Sequence, residues 1–279
     1  MAACAISLAS VPTWGRNSSG SIADQEVDLP RDVNRRIGRA MHDYAMLAEA
    51  DRVLVAVSGG MDSLVLLAVL LHWRKKAPIS YQLEAVHVDM EPGLEAPGPG
   101  ATRVGEQVRR LGMELRILPA RYRPSPQEIA VASGNQDLCF QCARSRRSQL
   151  FAHARDAGWN KLALGHHRDD IIETFLLNLT CAGNISTMAP FQSLFSGRLA
   201  LIRPLAYLDK DEVAALGRSL GLVPVESACL LSEQTRRRDI HRLARQIYRQ
   251  IPGAKEHIFA ALGNVRQEYL LRQSGGRRP

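Results

Sequence analysis

From Val53 onward, short runs of β-branched and aliphatic residues alternate with stretches whose apolar positions recur every three or four residues. This alternation is the pattern of βαβ units wound into a parallel sheet. The runs at 53–57, 83–88, 115–118, 161–164 and 199–203 predict five strands, and helical periods begin near Asp62, Ala101, Arg144, Arg168 and Asp209. An α/β fold follows, with helices on both faces of the sheet. Residues 31–50 place Val33, Ile37, Ala40, Met41 and Tyr44 on one face and predict a leading helix docked on that core.

The pattern changes at both ends. Residues 1–28 carry patchy apolar character without a basic or long apolar segment of the secretory kind, and predict a disordered leader. The α/β core is expected over 29–223. Residues 224–279 predict a basic helical extension, with helices at roughly 234–250 and 254–272. Two segments interrupt the core, EPGLEAPGPG at 91–100 and residues 121–138, both too irregular for a helix or strand.

Composition adds little to the fold and more to the partners. Hydrophobic residues make up 46% and charged residues 23% of the 279, and no apolar run is long enough to span a bilayer, so no membrane partner is expected. The net charge is +8, and residues 234–279 alone carry that excess, with ten arginines and one lysine against Asp239, Glu256 and Glu268. Charge so concentrated fits a polyanion such as nucleic acid, or a solvated helix face. The five cysteines (4, 139, 142, 181 and 229) are too few and too unevenly spaced for a secreted disulfide framework, which favours a cytoplasmic location.

Three stretches carry candidate chemistry. In Ser58-Gly59-Gly60-Met61-Asp62-Ser63 a strand runs into a helix through two glycines. Glycine lets backbone N–H groups and the helix N-terminus approach a phosphate, two hydroxyls add donors, and Asp62 can hold Mg2+. The same residues also suffice for a plain tight turn with a capped helix. In Gly165-His166-His167-Arg168-Asp169-Asp170 a second strand enters a helix, and its two acids either cap that helix or face a metal. Cys139 and Cys142 are spaced for a shared metal or cluster, with Cys229 as third ligand. A zinc set completed by His166 or His167 is the competing arrangement. Cys181 and Cys4 pair with nothing in the pattern.

The first stretch resembles the SGGxDS signature of PP-loop ATP pyrophosphatases. With HVDM at 87–90, CFQC followed by RSRR, GHHRDDIIET and IRPLAY at 202–207, the order resembles the tRNA 2-thiocytidine synthetase (TtcA) family over roughly residues 34–270. That resemblance implies an adenine-nucleotide α-hydrolase-like, Rossmann-like fold, and an ATP-dependent transferase that replaces the C2 oxygen of a tRNA anticodon-loop cytidine, cytidine-32, with sulfur. It implies that Ser58, Gly59, Gly60, Asp62 and Ser63 hold the pyrophosphate end of ATP, and that Asp169 and Asp170 lie beside Gly165 on the nucleotide–Mg2+ side. His87 and Asp89 would line the pocket, with a turn-capping role open for Asp89. Cys139, Cys142 and Cys229 would ligate a 4Fe-4S cluster. The implied partners are tRNA and a sulfur donor such as a cysteine desulfurase, and a homodimer is compatible with the sequence. Met61 stands where this family often has lysine. A PP-loop enzyme acting on a tRNA uridine, or a nucleotide-binding iron–sulfur or zinc protein without turnover, is the alternative.

Overall fold

The computed structural model describes residues 29–91, 96–125, 127–128, 136–225 and 236–271. The leader, Cys4, Cys229, parts of the two irregular segments and the C-terminal GGRRP lie outside the described residues.

In chain order the elements are α1 (Arg31–Asp43), β1 (Arg52–Ala56), α2 (Met61–Lys76), β2 (Gln82–Asp89), α3 (Pro99–Arg110), β3 (Leu115–Pro119), α4 (Gln136–Asp156), β4 (Lys161–Ala163), α5 (Arg168–Cys181), β5 (Phe191–Leu194), β6 (Leu199–Ile202), α6 (Lys210–Ser219), α7 (Arg236–Gln250) and α8 (Ala254–Ala261). A short 3-10 turn, Gln267–Tyr269, follows.

The strands form one sheet in the order β3-β2-β1-β4-β6-β5, parallel except for β5. Strand alternation explains why both faces are covered. Val53, Val55 and Val57 belong to the core shared with α1, α2, α3 and α6, while Leu54 points to the opposite side with Leu162, Ala154 of α4 and Trp159. Helix α2 is buried continuously from Ser63 to His72, which its almost wholly apolar sequence requires.

Beside β1 the winding reverses. The chain steps outward through β2 and β3, then returns past β1 to place β4 on its other side. In open α/β sheets ligands bind at such a switch point, outside the carboxyl ends of the strands. Here that point lies between Ser58-Gly59-Gly60 after β1 and Leu164–His167 after β4.

Several expectations change in detail. A sixth strand, β5, adds to the five predicted. Its four residues have two exposed and two partly exposed positions, so it lacked a strand signature and exists through antiparallel pairing with β6. Phe195, Ser196 and Gly197 at positive φ close that hairpin. Helix α4 begins at Gln136 rather than near Arg144, so Cys139 and Cys142 lie inside its first two turns instead of ahead of it. Helix α1 ends at Asp43, well short of residue 50, and α8 ends at Ala261.

Candidate functional site

The turn after β1 is built by its own side chains. Ser63 Oγ donates to the Gly60 carbonyl at 2.8 Å and accepts from the Ser58 N–H at 3.1 Å. Ser58 Oγ lies 3.2 Å from Ser63 Oγ and 3.4 Å from the Gly60 nitrogen. The buried Ser63 hydroxyl therefore staples the turn, whereas Ser58 is exposed at its mouth. Gly59 sits at φ +92°, and a Cβ there would lie 2.7 Å from Val104 Cγ2, so only glycine fits. Gly60 is the N-cap of α2 and uses no side chain as a cap.

Gly165 brings the second motif against the first. A Cβ on it would lie 2.9 Å from both the carbonyl carbon and oxygen of Asp62 and 3.0 Å from the Ser63 nitrogen. All three are backbone atoms, so the two strand-to-helix loops touch only because residue 165 is glycine.

Between them opens a cavity of about 280 Å3, lined by Ser58, Asp62, Ser63, His87, Gly165, His166 and Asp170, with Arg146 and Leu150 of α4 on its far wall. This size is near the lower end for small-ligand pockets. Two imidazoles of opposite character border it. His87 Nδ1 lies 2.7 Å from the Val57 carbonyl, which can only accept, so Nδ1 carries the proton. Burial holds His87 below the usual imidazole range, against the raising effect of that hydrogen bond. His166 Nδ1 instead accepts from Arg203 Nε at 3.2 Å, which leaves the proton on Nε2. Burial, assisted by the charges of Arg203 and Arg237, lowers His166 to about 4. Arg203 is itself lowered to about 10 by burial and by Arg147, and donates to the Ala189 carbonyl as well.

The carboxylates converge on His167, which is buried with Nδ1 lacking a hydrogen-bond partner. Its Nε2 is 3.3 Å from Asp170 Oδ2 and 3.8 Å from Asp62 Oδ2, and Nδ1 is 3.7 Å from Asp169 Oδ2. Each acid is also met by a cation from a later element. Lys210 Nζ lies 2.7 Å from both Asp62 oxygens, Lys255 Nζ 2.6 Å from Asp169 Oδ1, and Arg237 3.8 Å from Asp170 Oδ1. The carboxylates of Asp62 and Asp170, both at the cavity, are the oxygen ligands that a hard divalent cation such as Mg2+ takes. Among the described residues, no group of three or more His, Cys, Asp or Glu is placed to hold a metal ion unaided.

Two predicted site residues are occupied elsewhere. Asp89, 4% exposed, accepts the N–H groups of Glu91 at 2.9 Å and Gly98 at 2.7 Å, so its carboxylate ties the loop that leads into α3. Neither it nor Asp169 lines the cavity. Asp169 accepts the Lys210 N–H at 2.8 Å and bonds Lys255, which also holds Asp209 at 2.8 Å. Both acids position backbone. Cys139 and Cys142, partly buried and in no disulfide, stand about one turn apart on one face of α4. Cys229 lies outside the described residues. Sequence reading missed Lys210, Lys255 and Arg237. Each left the same signal there, a cation in the first turn of a helix, where the dipole disfavours it.

Comparison with known proteins places this architecture. Residues 29–244 match the model of a PP-loop domain. The chain is 37% identical over 254 residues, 87% of itself and 92% of the relative, to a tRNA-cytidine(32) 2-sulfurtransferase of Syntrophotalea carbinolica. A protein of the same name from Xanthomonas euvesicatoria is 35% identical over 248 residues, which span 88% of this chain and 79% of that one. Among solved structures, the U34-tRNA thiolase NcsA from Methanococcus maripaludis with its [4Fe-4S] cluster is similar with a TM-score of 0.68. That match has 22% identity and covers 86% of this chain and 79% of that chain.

Proposed function

The chain belongs to the PP-loop family and, within it, to the tRNA 2-thiocytidine synthetases, and from that membership we propose that it is an ATP-dependent tRNA sulfurtransferase acting on C2 of cytidine-32. The observation that carries the reading is the abutment of two strand-to-helix loops at the switch point, which the missing side chain of Gly165 permits. One loop presents backbone N–H groups and a helix N-terminus, as a pyrophosphate requires, and the other presents the acids.

In this reaction the C2 oxygen of the base attacks the α-phosphorus of ATP, and the bond to the β-phosphate oxygen breaks to release pyrophosphate. A sulfur nucleophile then attacks C2, and the oxygen leaves with AMP. Gly59 and Gly60 bind the departing pyrophosphate through their N–H groups and Ser58 through its hydroxyl, its own N–H being held by Ser63 Oγ. Ser63 keeps their turn in shape. Asp62 and Asp170 would hold Mg2+, which supplies charge neutralisation for the phosphates, while Asp169 fixes the entry of α6. His166, kept neutral with Nε2 protonated, donates a hydrogen bond into the cavity, and His87 accepts one there.

Cys139 and Cys142, with Cys229, would hold a 4Fe-4S cluster, and three protein ligands would leave it an iron to offer a sulfur species. Their place on α4 fits, because that helix also supplies the Arg146 and Leu150 wall of the cavity. The arginines of α7 would hold tRNA phosphates.

The reading is tested by nucleoside mass spectrometry of tRNA from a deletion strain. 2-Thiocytidine should disappear, return with the wild-type gene, and stay absent with Cys142→Ser. An unchanged nucleoside profile in the deletion strain rules the function out.

A further inference from the structure

The ion pair between Lys210 and Asp62 has no part in the reaction described above. Lys210 is the first residue of α6, where unpaired N–H groups and the positive end of the helix dipole disfavour a cation. It is nevertheless held there twice: its N–H donates to Asp169 at 2.8 Å, and its ammonium sits 2.7 Å from both oxygens of Asp62. One residue thus spans the first turns of α2 and α5, the two helices that open from the strand-end loops. The Lys210 side chain is 47% and that of Asp62 29% exposed, so the pair is open to water and contributes little to folding. A flexible, hydrated ammonium can change partners without disturbing the core. Met61, its neighbour across the turn, is packed so closely on Gly217 that a Cβ there would lie 2.1 Å from its sulfur, so it faces α6 and brings no charge to the mouth.

We propose that Lys210 is a binding residue for the β- and γ-phosphates of ATP, stored on Asp62, and that nucleotide arrival moves it from carboxylate to phosphate, freeing Asp62 for Mg2+. A triphosphate at the N-terminus of α2 brings several negative charges beside an ammonium that otherwise faces one. The phosphates attract it more strongly than the carboxylate does. The exchange keeps local charge balanced in both states, since Asp62 is covered by lysine before binding and by the divalent cation afterwards. This rests on the reading that ATP binds at SGGMDS.

Calorimetric titration of the full-length protein with α,β-methylene-ATP and with AMP, at graded Mg2+, tests it. Lys210→Met should weaken methylene-ATP binding about 10- to 100-fold, the range expected when a charge-assisted hydrogen bond is removed. AMP, which lacks the outer phosphates, should bind Lys210→Met as it binds the wild type. The Mg2+ concentration for half-maximal methylene-ATP binding should fall in Lys210→Met, because lysine no longer competes for Asp62. Lys210→Arg should stay within about threefold of wild type. Wild-type affinity for methylene-ATP in Lys210→Met overturns the proposal while leaving the nucleotide site intact, and so does an equal weakening toward AMP. If the wild-type protein binds neither nucleotide, the site reading falls and this proposal falls with it.

Discussion

Gly165 concentrates the residue-scale argument, since three backbone atoms of Asp62 and Ser63 lie within 3.0 Å of where its Cβ would be. Backbone cannot rotate away as a side chain tip can, so Gly165→Ala must push the two loops apart. The expected cost is about 1–3 kcal/mol, typical of overpacking, seen as a lowered melting temperature, together with weakened binding of methylene-ATP. An alanine variant with wild-type stability and affinity would contradict the close approach. His166 supplies a pH prediction. Its pKa of about 4 in the folded protein lies below the ordinary 6.5, so the unfolded chain takes up a proton that the folded one refuses. Its contribution to stability is therefore complete above pH 6.5 and declines as pH falls toward about 4. Nitrogen NMR at neutral pH should show His166 protonated on Nε2 alone, and Arg203→Met should abolish that preference. The glycines, serines and acids of this site were legible because each motif is contiguous. Lys210 was not, because 148 residues separate it from Asp62.

At the scale of elements, α7 shows how one helix divides its duties. Ile240 and Ala244 are buried against Ile172 and Leu176 of α5, with Ile247 and Tyr248 packed beside them. Arg237, Arg238, Arg242, Arg245 and Arg249 are exposed. Reversing Arg242, Arg245 and Arg249 to glutamate should leave helicity unchanged by circular dichroism and weaken tRNA binding. The salt dependence should flatten by roughly one unit of slope for each phosphate that is no longer neutralised. Unchanged affinity at low salt would remove α7 from the RNA interface. The amphipathic pattern forecast this helix, and apolar runs forecast α2 and the strands β1, β2, β3, β4 and β6. It failed for β5, whose apolar content is too small, and for the start of α4, because the segment before the cysteine pair reads as loop by composition.

At the scale of the whole molecule, the sheet order explains why residues far apart in sequence form one site. Reversal of the winding beside β1 leaves a crevice where the ends of β1 and β4 part, and the end of β2 adds His87. The C-terminal helices then close over α5, and Lys255 and Arg237 bring charge back to the acids at its start. The extension predicted as a nucleic-acid grip is therefore tied by ion pairs to the acids at the start of α5.

The sequence by itself determined the α/β winding, the two glycine-bearing loops and the chemistry they offer, because periodicity and turn chemistry act over neighbouring residues. Only the tertiary structure decided which acids face the cavity. Asp62 and Asp170 face it, while Asp169 and Asp89 are taken by backbone N–H groups. It also decided which cation answers each acid and which nitrogen of His166 carries the proton. Those outcomes depend on partners supplied by other elements, and a carboxylate's role is fixed by the donors that folding brings within hydrogen-bond reach.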